Sequence, residues 1–194
     1  MTTRVEVINI ALQFLNKRNT SFLDSDDPFV VAAEAQYDFM KDACLGAFPW
    51  RFATREVELA KLVQKPLTTF YENYFQIPSD CIAIERVEPN QYQYDIENKG
   101  LLLANADSLL LVYRYRVEEE FWPLYFADYM AATLAQRLAL TTAQNITLAQ
   151  TLKLLRDDNF AKAMFIDNQN KPNYLISDQK LINVRYAGSR YRGA

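Results

Sequence analysis

The sequence contains no histidine. That absence removes the imidazole general base, the Ser-His-Asp and Cys-His nucleophile systems and His-ligated zinc together. Cysteine is nearly as scarce: Cys44 and Cys81 stand alone, 37 positions apart, without the spacing of a metal knuckle or the density of a disulfide framework. Both read as small buried apolar residues. Four glycines leave no phosphate-cradling GxxxxGK[ST] or GxGxxG segment. No run approaches the roughly 20 uncharged apolar residues of a membrane span. The opening MTTRVEVINI lacks the basic, then apolar, then small pattern of a secretory signal. The expectation is a chain made in the cytoplasm, with no membrane span, no cofactor, no metal and no catalytic residues. A net charge of −3 also lacks the basic footprint of an ordinary nucleic-acid binder.

What is present is enough apolar material for one core: 194 residues, half of them hydrophobic. Val5, Ile8, Leu12 and Leu15 recur at the spacing of one helical face and predict a helix over 3–17. Asp26 and Asp27 before Pro28 mark the start of a second helix, 28–46, because carboxylates accept orphan amide hydrogens and proline fits a first turn. Gly46 and Pro49 end it. Residues 50–117 then change to short β-rich runs, read as one antiparallel sheet with strands near 70–77, 81–88, 91–96, 101–104 and 109–116. In the last of these, Leu109, Leu111, Tyr113 and Tyr115 share one face and Arg114 and Arg116 the other. Helical spacing returns over 124–140, with Ala127, Ala131, Leu134 and Leu138 in one stripe, and over 145–167, with Leu148, Leu152 and Leu155 inward. The fold class is therefore α+β: packed amphipathic helices with an inserted antiparallel lobe, residues 1–167 forming a single domain.

Residues 168–194 have no sustained periodicity and carry five cations against Asp178, a net +4, leaving −7 on the rest. Composition leaves two readings of this basic arm open, a solvated tail and a segment that orders itself on a partner.

Other clusters have plainer readings. Glu118, Glu119 and Glu120 supply carboxylates for glycoside hydrolysis only if held in opposed, unlike environments. Adjacent glutamates before a helix are more simply placed there by its amino-terminal dipole. Asp24, Asp26 and Asp27 lack the glycine and the distal glutamate of a calcium loop. Trp50, Phe52, Phe70, Tyr71, Tyr74 and Phe75 could stack on bases or sugars, yet with little basic interleaving they read as sheet core and subunit contact. Arg114 and Arg116 read as a solvated strand face.

Four segments, taken in order, resemble the tail tubular protein A and head-tail adaptor family of short-tailed bacteriophages. They are CLGAFPWRFAT at 44–54, FYENYFQIPSDCIAIERV at 70–87, VYRYRV at 112–117 and FWPLYFADYMAATLAQRLA at 121–139. The chain departs from the family at FLNKRNTSFLD, 14–24, where members often have a glycine-containing turn. The resemblance implies a non-enzymatic virion protein assembled as a homo-oligomeric ring, commonly of twelve copies. It would sit between the portal protein and the tail nozzle or tube protein, with double-stranded DNA passing through the lumen without sequence-specific binding. It also assigns portal docking to the carboxy-terminal arm, here Arg185, Tyr186, Arg190, Tyr191 and Arg192. Two other readings stay open: a tail-associated polysaccharide-degrading enzyme using the carboxylates at 118–120, and a binding module that never forms a ring.

Overall fold

The computed structural model describes residues 2–21, 26–66, 70–97 and 100–169. Its elements are those of an α+β protein: four helices and two small antiparallel sheets.

The first helix, α1 (Arg4–Phe14), begins in a reciprocal capping box in which Thr3 and Glu6 satisfy each other's backbone amides. It ends earlier than its apolar spacing predicts because Asn16 turns left-handed, φ +55°. The amides of Asn16 and Lys17 then close back on Gln13 and Leu12, satisfying the last carbonyls. The second helix, α2 (Pro28–Gly46), starts where proline and aspartate predict, the Asp27 carboxylate accepting from Phe29 N at 2.8 Å. A short 3-10 turn, Arg51–Ala53, leads into the lobe.

The lobe holds β1 (Thr54–Ala60), β2 (Asn73–Gln76), β3 (Cys81–Glu88), β4 (Tyr94–Glu97), β5 (Leu101–Ala104) and β6 (Ser108–Tyr115). The single predicted sheet is in fact two, ordered β1-β6-β3 and β2-β5-β4 and linked where Lys61 bridges Phe75. The reason is burial. Leu59, Val87, Leu109 and Leu111 of one sheet and Phe75, Leu102 and Ala104 of the other close on a shared apolar core that one open sheet would leave wet. Gly100 makes the turn between β4 and β5 possible at φ +72°, where its missing Cβ removes the steric penalty.

The third helix, α3 (Leu124–Thr141), was expected to bury one stripe. It buries almost its whole circumference, Phe126 and Met130 as well as Ala131, Leu134 and Leu138, because α1, α2 and α4 (Ile146–Gln169) all pack on it. Ala127, Ala131, Ala135 and Ala139 let those neighbours approach closely. Helix α4 buries Leu152 as predicted, with Leu148 and Leu155 packed against the same core. It runs two residues past 167, into the stretch assigned to the arm.

The helical body and the lobe thus have separate apolar cores, and Tyr115 packs against both. Among the described residues no helix is long and apolar enough to cross a membrane.

Candidate functional site

Of the six aromatics read as sheet core and subunit contact, Trp50 and Phe52 join the helical body, Phe75 joins the lobe core and Phe70 is largely exposed. Trp50 is fully buried in the helical body, donating from Nε1 to Cys44 O at 2.9 Å and meeting Phe126 edge-on, with ring centroids 5.3 Å apart. Phe52 packs on the same Phe126. Phe75 lies in the lobe core, Tyr74 donates to Glu97 Oε2 at 2.7 Å, and Phe70 and Tyr71 contact each other edge-on. The 3-10 turn after Trp50 draws the first two rings back onto α3 before the chain enters the lobe, so the six do not form one stacking surface.

Of the two arginines read as a solvated strand face, Arg116 is exposed just past the end of β6, whereas Arg114 is drawn inward. The Arg114 guanidinium reaches the end of α2 and donates to Gly46 O and to Phe48 O, the latter at 3.2 Å. Gly46 O is a carbonyl that a helix terminus leaves without an intrahelical partner, and Phe48 O, past the helix end, also accepts from Trp50 N. Arg116 pairs with Asp42 of α2. Arg114 and Arg116 thus join the lobe to the body, while Arg55, stacked 3.9 Å over the Tyr115 ring and reaching Asp80, ties strands within the lobe.

The three glutamates diverge. Glu119 turns inward against Lys41 of α2, Nζ to Oε2 3.2 Å, with the lysine side chain 5% exposed and the glutamate 14%. Glu118 stands 3.6 Å from the same ammonium but is exposed, and Glu120 is exposed. Trp122 lies under the ammonium, 5.5 Å from ring centroid to Nζ. Tyr37, one turn earlier on α2, has an enclosed hydroxyl with no hydrogen bond of ordinary geometry. Burial, and then the negative charge of Glu119, push its pKa well above the usual phenol range. Lys41 and Glu119 therefore form a mostly enclosed ion pair that pins the segment before α3 onto α2.

Asp27 serves as a helix cap, Asp24 lies outside the described residues, and among the described residues no group of Cys, Asp and Glu could hold a metal ion. The docking residues Arg185, Tyr186, Arg190, Tyr191 and Arg192 also lie outside the described residues.

Sequence reasoning missed three features. The first is Asp167, buried at the end of α4, which accepts from Arg51 N at 3.0 Å and Tyr125 Oη at 2.8 Å. Nothing local marks that carboxylate, since its partners lie 116 and 42 residues away. The second is a groove between α1 and the start of α3 with Glu6 and Asp128 on its walls.

The third is an outward apolar ridge on α2: Val31, Ala35, Phe39 and Ala43, four residues apart and exposed, with Phe39 at 71%. Helix α4 likewise turns Leu154 and Phe165 outward. The signal for the α2 ridge was legible as a second i, i+4 row, opposite the buried row of Val30, Ala33, Tyr37 and Cys44. No protein-family model matches the chain, and no curated protein is significantly similar to it.

Proposed function

We propose that the chain is a structural head-to-tail adaptor of a short-tailed bacteriophage, a ring subunit between the portal and the tail through which double-stranded DNA passes. The observation that carries this reading is the outward apolar ridge on α2, with Leu154 and Phe165 exposed on α4 as candidate counterparts. The two helices flank α3 and present Phe39 and Phe165 to solvent. Exposed large apolar residues on helices mark protein contacts. Two different surfaces meeting between successive copies make a heterologous contact, the kind that closes into a ring when the rotation allows.

The order of the four family-like segments supports the same reading, and the charge distribution suits it. An acidic body facing a lumen would keep the duplex from adhering, and a basic arm offers portal docking through Arg185, Tyr186, Arg190, Tyr191 and Arg192.

The test is electron microscopy of the purified chain mixed with the portal protein of the same genome. Annular complexes are expected with the wild type and not with Phe39→Glu, whose circular dichroism should be unchanged. Failure of the wild type to form annular complexes while both proteins stay soluble would overturn the reading.

A further inference from the structure

The groove between α1 and α3 has a volume of about 490 Å³. Helix α1 contributes Glu6, Ile10 and Gln13, successive positions of one face, and α3 contributes Leu124, Ala127 and Asp128 from its first two turns. Leu124 is 78% exposed, an unusual place for a leucine at a helix start. Asp128 is exposed and no cation pairs with it among the described residues. Glu6 accepts from the Thr3 amide, a neutral donor that leaves its charge uncompensated. The concavity is thus an apolar floor of Ile10, Leu124 and Ala127 with an anion on each wall. That chemistry fits a peptide pairing a planar cation with an aromatic ring: the guanidinium meets the carboxylates and the ring covers the aliphatic floor.

The chain carries such a peptide. Arg185-Tyr186 and Arg190-Tyr191-Arg192 lie in the segment 170–194, which has a net charge of +4. The last described turn of α4, to which that segment is joined, is anchored near the start of α3. Asp167 holds it to the Tyr125 hydroxyl, and Tyr125 is the immediate neighbour of Leu124 in α3. Fifteen residues lie between Gln169 and Arg185. At about 3.3 Å per extended residue they span several times the roughly 10 Å diameter of the helix to be crossed. We infer that the groove binds the Arg-Tyr segment of the same molecule, with guanidinium groups on Glu6 and Asp128 and tyrosine rings on Leu124 and Ile10. A tethered segment acts at an effective concentration on the order of 1 mM, so even a contact with a Kd of roughly 0.1 mM is about nine-tenths formed. The inference goes beyond the adaptor reading: a subunit holding its own arm would release it only to a tighter site.

The experiment is limited trypsin digestion of the isolated full-length chain, following cleavage after Arg185, Arg190 and Arg192 by mass spectrometry. Two variants are compared with the wild type. Glu6→Gln with Asp128→Asn removes both anions while glutamine keeps the capping box; Leu124→Gln removes the floor. Circular dichroism verifies that each folds. Cleavage of the arm should be about tenfold faster in both variants. The wild-type rate should not change on hundredfold dilution, since the contact is intramolecular. Equal rates in wild type and variants would overturn the inference. So would protection that fades on dilution, which would place the arm on another copy. No portal is present, so this outcome is independent of ring assembly.

Discussion

Lys41 shows how much a single side chain can hold in this chain. Its ammonium, nearly sealed from water, is matched by Glu119 and faces Trp122. Removing one member of an enclosed pair leaves the other charge without compensation. Lys41→Ala should therefore cost about 3 kcal/mol in chemical denaturation. The double replacement Lys41→Met with Glu119→Leu should recover most of that loss, because two apolar groups need no partner. Cys44 makes a different demand. Burial pushes its thiol up to about 11 from an ordinary value near 9. A raised native value means that the unfolded chain gives up the proton first. The stabilising contribution is complete below pH 9 and is lost as pH rises toward 11. Melting temperature should fall over that interval, and Cys44→Ala should flatten the fall. Burial and the neighbouring Asp80 raise the pKa of the Cys81 thiol, so at pH 8 a thiol reagent should modify the partly buried Cys81 slowly and Cys44 only after unfolding.

Among the elements, α4 combines an apolar stripe, Leu148, Leu152, Leu155, Phe160 and Ala163, with one polar anchor at its end. Asp167 satisfies the first amide of the 3-10 turn at Arg51 and the hydroxyl of Tyr125, whose pKa is raised by burial and by that carboxylate. Asp167→Ala strands both donors and should cost about 1–3 kcal/mol, with faster amide exchange in the last two turns of α4. Asp167→Asn keeps an acceptor and should cost less.

The contrast between α2 and α4 also explains which parts of the fold could be read in the sequence. The start of α2 was legible because Asp27 and Pro28 act within one turn, and β3 and β5 because turn residues bound them closely. Strand β1 was not singled out. Its sequence TREVELA carries charges at Arg55, Glu56 and Glu58 that break the apolar alternation, and its place depends on pairing with β6 residues 48 to 60 positions away. The junction roles of Arg114 and Arg116 were hidden for the same reason, since only the folded chain brings β6 to the end of α2. The candidate surfaces divide likewise. The basic arm is visible in composition, whereas the groove exists only once α1 lies along α3.

At the scale of the whole molecule, the helical body and the lobe each enclose an apolar core, with Tyr115 the side chain in contact with both. The junction between them combines polar contacts, Arg114 on the carbonyls of Gly46 and Phe48 and Arg116 on Asp42, with Ile82 of β3 packed against the helical core beside Gly46. Leu134 is fully buried in one core and Leu102 in the other. Each change to alanine should cost about 2–5 kcal/mol. Because the sites share no packing partners, the double variant should lose the sum of the two within about 0.5 kcal/mol. A second pair chosen inside one core, Leu134 with Met130, should deviate from its sum by more.

Two cores meeting at one tyrosine have a consequence for how the sequence can diverge. Substitutions inside the lobe do not have to be matched by substitutions among the helices, so epistasis should be strong within each half and nearly absent across the join. The positions that must change together are then few: Ile82, Arg114 and Arg116 on one side, the end of α2 on the other. A lineage could exchange nearly every apolar side chain of the lobe while the helical half kept its own packing, provided those contacts and Tyr115 remained.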